Sequence, residues 1–152
     1  MKTAPAVRQP DPQPVEYRLK SDLLAVRNVV LQILEDLADA AVQPRNMATF
    51  ELVLAEVLNN VVEHAYGVGT CGDIRVLVAD RGSVADVKVI DKGRPMPNLA
   101  VPEGNSPDIA VRTGDLPEGG FGWFIFQSCT AGVRYERANE TNHLYFTVNL
   151  VD

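Results

Sequence analysis

The chain has 152 residues, 46% of them hydrophobic and 22% charged, the balance of one soluble globular domain with its own core. Its 14 basic and 20 acidic residues leave a net charge of −6 and no basic cluster, which argues against nucleic acid or an anionic membrane as the main partner. Cys71 and Cys129 show no CxxC spacing, no signal peptide is evident, and no apolar run approaches the ~20 residues of a membrane span, so a reducing, cytoplasmic setting is the default.

Residues 1–14 carry Pro5, Pro10, Pro12 and Pro14 and almost no large apolar groups. Such a segment cannot bury enough surface to offset its ordering entropy and reads as a flexible leader, with the domain proper spanning 15–152. VEYRLK at 15–20 alternates apolar and polar, as a short first strand does. Ser21 is the expected N-cap of a helix with Asp22 in its first turn, and Val26, Val29, Val30, Ile33, Leu37 and Ala40 give that helix an apolar stripe reaching about Val42. Pro44 interrupts the chain before the next element.

FELVLAEVLNNVVEHAY at 50–66 predicts a second helix, with Phe50, Leu54, Val57, Leu58, Val61 and Ala65 on its core face. Its other face is unusual. Glu56, Asn60 and His64 fall at i, i+4 and i+8, so a carboxylate, an amide and an imidazole stand in one row. An amide oxygen is a hard ligand for a divalent metal bound to phosphates, and a carboxylate can take a proton or orient a water. Taken alone the row reads as a solvated polar face; two later stretches change that.

Gly67, Gly69 and Gly72 end the helix. Segments 73–80 and 84–90 alternate around Arg81-Gly82-Ser83, a hairpin signal, and the second runs into Asp91-Lys92-Gly93-Arg94-Pro95. From Arg94 to Glu118 there is no periodicity, and five prolines interrupt the stretch, as in a lid over a functional site. It ends at Gly119-Gly120-Phe121-Gly122, followed by an apolar helix from Trp123 to about Thr130. Trp123, Phe124 and Phe126 are expected in the core, with Trp123 the one of the three to face a partner. Strands 133–138 and 144–151, joined by a turn over Asn139 to Asn142, close the chain. The order β-α-α-β-β-lid-α-β-β argues for an α+β, two-layer sandwich, with helices on one face of a mixed, mostly antiparallel sheet.

Three pieces thus stand in sequence: Glu56-x-x-x-Asn60 on a helix, Asp91-x-Gly93 at a strand end, and Gly120-x-Gly122 at the mouth of an apolar helix. Each is weak alone, since a DxG after a strand is commonly a turn and a GxG before a helix is widespread. In this order, EVLNNVVEHAYG (56–67), VKVIDKGRPMP (87–97) and EGGFGWFIFQ (118–127) resemble the ATP-binding domain of gyrase, MutL-type proteins and histidine kinases, the GHKL group. Within that group the chain most resembles the anti-sigma factor serine/threonine kinases.

The resemblance implies a histidine-kinase-like ATPase fold over 15–152, with an ATP lid at 94–118, and assigns roles residue by residue. Asn60 would hold the Mg²⁺ that bridges the phosphates of ATP. Glu56 would act as general base on a serine hydroxyl. Asp91 would accept the adenine amino group, and Gly93 would let the base approach the backbone. Gly120 and Gly122, with the amides of Phe121 and Trp123, would cradle phosphate oxygens. His64 has two readings, a phosphate ligand or a packing residue at the helix end. Arg94 and Arg112 are the candidates to reach the γ-phosphate from the lid. In one respect the chain departs from the family: where relatives often carry an arginine or serine before the paired glycines, it reads Leu116-Pro117-Glu118.

The expected activity is Mg-ATP-dependent phosphorylation of a serine or threonine on a STAS-type anti-sigma factor antagonist, alternating with capture of a sigma factor or other regulator. Homodimerisation is expected as compatible with this branch. Two other readings remain: a nucleotide-responsive switch without phosphotransfer, and a histidine kinase catalytic domain, disfavoured because no long paired helices precede the domain.

Overall fold

The computed structural model describes residues 12–41, 45–101 and 120–151. Among these the chain runs β1 (Val15–Lys20), α1 (Leu23–Ala40), α2 (Ala48–Asn60), a π-helical segment (Val61–Gly67), β2 (Asp73–Asp80), β3 (Val84–Asp91), a short 3-10 turn (Pro97–Leu99), α3 (Gly120–Cys129), β4 (Thr130–Ala138) and β5 (Thr141–Asn149). The five strands form one sheet in the order β1-β2-β3-β5-β4, every pair antiparallel. The strand entered last in sequence therefore lies inside, and β4 is an edge.

Period-2 alternation decides which face is buried. The apolar residues that enter the core are Ile74, Val76 and Val78 on β2, Ala85, Val87 and Val89 on β3, and Leu144, Phe146 and Val148 on β5. Against them α1 presents Val26, Val30, Ile33 and Leu37, while α2 presents Phe50, Val53, Leu54, Val57 and Leu58. Each such side chain contributes about 1.5–3 kcal/mol when withdrawn from water, so these two stripes outweigh any capping effect on helix placement. The helices lie on one face of the sheet, and the expected α+β sandwich is the observed fold.

Several local expectations change. Asp22, not Ser21, caps α1: its carboxylate accepts from the amides of Leu24 (2.6 Å) and Ala25 (3.4 Å). The Ser21 hydroxyl is taken by the loop before β2, donating to the Thr70 carbonyl and accepting from the Gly72 amide, both at 2.8 Å. The second helix is α-helical only to Asn60 and continues as a π-helix to Gly67. α3 begins at Gly120, so the paired glycines lie within its first turn, and it passes into β4 without an intervening residue. Trp123 does not face outward: it is buried and meets Phe126 edge-on at 5.2 Å, and Phe126 meets Phe146 in the same way. The last hairpin closes on Asn139 and Glu140 alone, both left-handed (φ 52° and 58°), the conformation a two-residue turn between twisted strands requires. Of the expected leader, residues 1–11 lie outside the described residues, as do 102–118 of the expected lid.

Candidate functional site

α2 carries Glu56 and Asn60 one turn apart, and their side chains meet. The Asn60 amide nitrogen donates to the Glu56 carbonyl (2.9 Å) and to Glu56 Oε1 (3.1 Å). With the nitrogen turned to Glu56, the amide oxygen has no hydrogen bond among the described residues. It is a hard, neutral donor free to bind a cation. The helix changes pitch at the next residue, which takes His64 out of α-helical register with Asn60. The His64 side chain is 64% exposed and lies 4.0 Å from the Glu63 carboxylate.

α3 brings the third motif to the first. A Cβ at Gly122 would overlap the Glu56 carboxylate outright, so any other residue there would make that carboxylate swing away from its present place. Of the expected phosphate cradle, Gly120, Phe121 and Gly122 stand in the first turn of α3, and Gly122 lies against Glu56. Arg112 and Glu118 lie outside the described residues.

The second motif docks on the π-helical segment. Gly93 packs against Ala65 so closely that a Cβ would fall 2.5 Å from its carbonyl carbon, and the Arg94 amide donates to the Ala65 carbonyl at 2.7 Å. The Tyr66 hydroxyl accepts from the Lys92 amide (2.7 Å) and donates to the Asp73 carbonyl (2.6 Å). These bonds explain the π winding, since it presents Ala65 and Tyr66 together to the strand end. Arg94 is exposed, and its Nη2 approaches Gly67 at the end of the π-helix.

Asp91 closes β3 with only 6% of its surface exposed. Its Oδ1 accepts from the Gly93 amide (2.9 Å) and from Asn142 Nδ2 (2.8 Å), while Oδ2 has no hydrogen bond among the described residues. Burial raises the carboxyl above its usual range, opposed by those two hydrogen bonds and by the charges of Arg137 and His143. The site thus leaves one oxygen of the Asp91 carboxylate open to an N–H donor.

Sequence reasoning missed the residues behind Asp91. Asn142 also donates to the Arg94 carbonyl (2.9 Å), and its Oδ1 accepts from the Tyr135 hydroxyl (2.6 Å) and Arg137 Nη1 (2.7 Å). Arg137 Nη1 reaches the Gly93 carbonyl as well (2.9 Å). A signal existed: the alternation that turns Leu144 and Phe146 inward also turns Asn142 inward, so a polar side chain occupies a core-facing position. Among the described residues no group of three or more His, Cys, Asp or Glu could hold a metal, and no helix is long and apolar enough to cross a membrane.

The three motifs therefore line one continuous stretch: Gly122 against Glu56, Asn60 one turn on, then Ala65 against Gly93 and Asp91. The sequence profile of the histidine kinase-like ATPase domain matches residues 19–148. Among solved structures, the RsbU and RsbW domains of Rv1364c from Mycobacterium tuberculosis align with a TM-score of 0.56 at 20% identity, covering 94% of this chain and 34% of that one. The chain thus spans about a third of that protein. The Acinetobacter baumannii histidine kinase AdeS aligns at 16% identity with a TM-score of 0.44, covering 90% of this chain and 68% of that one. The catalytic domain of histidine kinase ThkA aligns at 16% identity with a TM-score of 0.47, covering 91% and 98%. Comparison of the sequence with functionally characterised proteins finds no match.

Proposed function

The chain belongs to the histidine kinase-like ATPase domain family, a membership that implies ATP as its ligand, and on that premise we propose that it is a regulatory serine/threonine kinase of the anti-sigma type. The observation that carries this reading is the joint placement of a free amide oxygen at Asn60, a carboxylate beside it at Glu56, and an unpaired oxygen of the Asp91 carboxylate along one stretch. The branch rests on the sequence motifs; the fold suits every branch. Residues 15–152 then form the ATP-binding domain, with the lid at 94–118.

Asp91 Oδ2 accepts from the adenine amino group, and Gly93 leaves room for the base. Asn60 would hold Mg²⁺ through its amide oxygen. The donor set fits, because a lone hard oxygen among few carboxylates suits an ion that arrives with the nucleotide. Mg²⁺ when bound neutralises charge on the transferring phosphoryl group. The amides of Gly120 to Trp123 hold phosphate oxygens at the α3 N-terminus, with Arg94 as a further phosphate contact; the π pitch that turns His64 out of the Asn60 row speaks against the same role for His64. Glu56 takes the proton of the attacking serine or threonine hydroxyl as that oxygen bonds to the γ-phosphorus and the bond to ADP breaks. Asn60, by donating to Glu56 Oε1, holds that carboxylate in place. The acceptor is a STAS-type antagonist, and the nucleotide-bound domain alternatively captures a sigma factor or other regulator in the cytoplasm.

Incubation with γ-labelled ATP, Mg²⁺ and the antagonist encoded nearby tests this. Serine or threonine labelling by wild type, lost in Glu56→Gln with ADP affinity kept, is the expected result. No labelling, or equal labelling by both, would sink the kinase reading. One observation favours a second reading, a switch that changes partner affinity without transfer: Glu118 stands where members of the resembled family often carry an arginine or serine. Partner affinities that differ between ATP and ADP with no phosphorylated product would select it.

A further inference from the structure

The turn-proximal ends of β4 and β5 hold the loop that follows β3 at four points. Asn142 Nδ2 bonds Asp91 Oδ1 and the Arg94 carbonyl, Arg137 Nη1 bonds the Gly93 carbonyl, and the Tyr135 hydroxyl accepts from the Met96 amide at 3.0 Å. The direction of this network is dictated by its members. Met96 contributes an N–H, so the Tyr135 hydroxyl must spend its own proton on Asn142 Oδ1. Arg137 is a donor only and makes the same demand on that oxygen. The Asn142 amide therefore cannot flip, and its nitrogen must face Asp91. Both described donors to Asp91, Gly93 N and Asn142 Nδ2, fall on Oδ1.

We propose that Tyr135, Arg137 and Asn142 are positioning residues that set base selectivity, by engaging one oxygen of Asp91 so that the other is presented as a pure acceptor to a purine 6-amino group. This rests on the assignment of Asp91 as the base contact. A base with a 6-oxo group would offer an acceptor to an acceptor and leave both unpaired, which costs more than a missing contact. The clamp touches no ligand: it acts through Asp91, by removing the rotation that would spread its two oxygens over alternative partners.

The test uses two nucleotides that differ in one group, ADP and purine riboside diphosphate, which lacks the 6-amino group. Binding of each to the full chain is measured by calorimetry for wild type, Tyr135→Phe and Asn142→Ala, with thermal unfolding run in parallel. Tyr135→Phe is the milder change, removing one hydroxyl and leaving the ring. Wild type should prefer ADP by about tenfold or more. Tyr135→Phe should lose about five- to tenfold in ADP affinity and less than about twofold for the ligand without the amino group. A folded Asn142→Ala should show the same pattern, more strongly.

Equal losses for the two ligands, or no loss for either with Tyr135→Phe, would overturn the clamp while leaving Asp91 as base contact. A wild type that binds the two ligands equally would overturn the Asp91 assignment itself, and the clamp with it.

Discussion

Asp91→Asn separates what the site costs the fold from what it supplies to a ligand. The substitution is isosteric, and the carbonyl of the new amide can occupy the Oδ1 position, keeping the Gly93 amide and Asn142 Nδ2 as donors. The outer atom then changes from an acceptor to an NH₂ donor, which faces the amino group of adenine. A hydrogen bond to a charged acceptor contributes about 1.5–3 kcal/mol, so ADP affinity should fall roughly 10- to 100-fold. Stability should move the other way. Burial holds the native carboxyl above its ordinary range, so the folded chain binds this proton more tightly than the unfolded one. That contribution favours folding below the ordinary aspartate range and is lost as pH rises through the native value, so at pH 7 wild type carries the full penalty of a buried charge. The variant carries none. Calorimetric titration with ADP, and thermal unfolding between pH 7 and pH 4, should show weaker binding together with a Tm at pH 7 equal to or above that of wild type, the gap closing as the solution is acidified. Unchanged ADP affinity would refute the ligand assignment, and a lower Tm at every pH would refute the electrostatic reasoning.

Asn60→Ala should abolish the Mg²⁺-dependent part of nucleotide affinity while costing about 1 kcal/mol or less in stability, because its nitrogen bonds only within its own helix; titrations with and without Mg²⁺ check this. Gly122→Ala gains up to about 1 kcal/mol of helix propensity and pushes aside the Glu56 carboxylate, the far end of a flexible side chain, so the Tm should stay near that of wild type while phosphotransfer falls. A Tm drop of several degrees would show that the overlap reaches the backbone. Asp80→Ala leaves the Arg45 guanidinium, 6% exposed, with the Gly82 and Leu37 carbonyls but without its 2.8 Å carboxylate partner, and should cost about 2–3 kcal/mol in denaturant unfolding at pH 7. Chiefly through its hydrogen bond, Arg45 holds the Asp80 carboxyl below its usual range, so this stabilisation is present above the ordinary aspartate range and fades as pH falls through the native value; the mutant should lose that acid dependence.

The elements were legible because each buries one face, and burial leaves a period. α1, α2 and the four longer strands follow their 3.6- or 2-residue patterns to within a few positions. What went unread depends on contacts distant in sequence. Nothing local marks Val61 as the start of a π-helix, since Val61 and Val62 suit an α stripe equally well; the pitch change answers to Arg94 and Lys92, some 30 residues on. Ser21 and Asp22 are both good caps, and only the Thr70–Gly72 loop removes Ser21 from the contest. The pairing of β5 with β3 ahead of β4 is likewise invisible to an alternation pattern. The site motifs could be read because glycine, carboxylate and amide spacing has a local meaning, whereas Tyr135, Arg137 and Asn142 carry none until the hairpin closes beside Asp91.

The join between α3 and β4 has no slack in it. Cys129 is the last helical residue and Thr130 the first of the strand, so an unbroken rod of chain begins at Gly122 beside Glu56 and ends at Arg137 beside Gly93. Its pairing with β5 slips register between Ala131 and Arg134, around Gly132 with its left-handed φ of 61°. A residue with a Cβ at position 132 would have to hold that left-handed conformation at a steric cost or shift the register between β4 and β5.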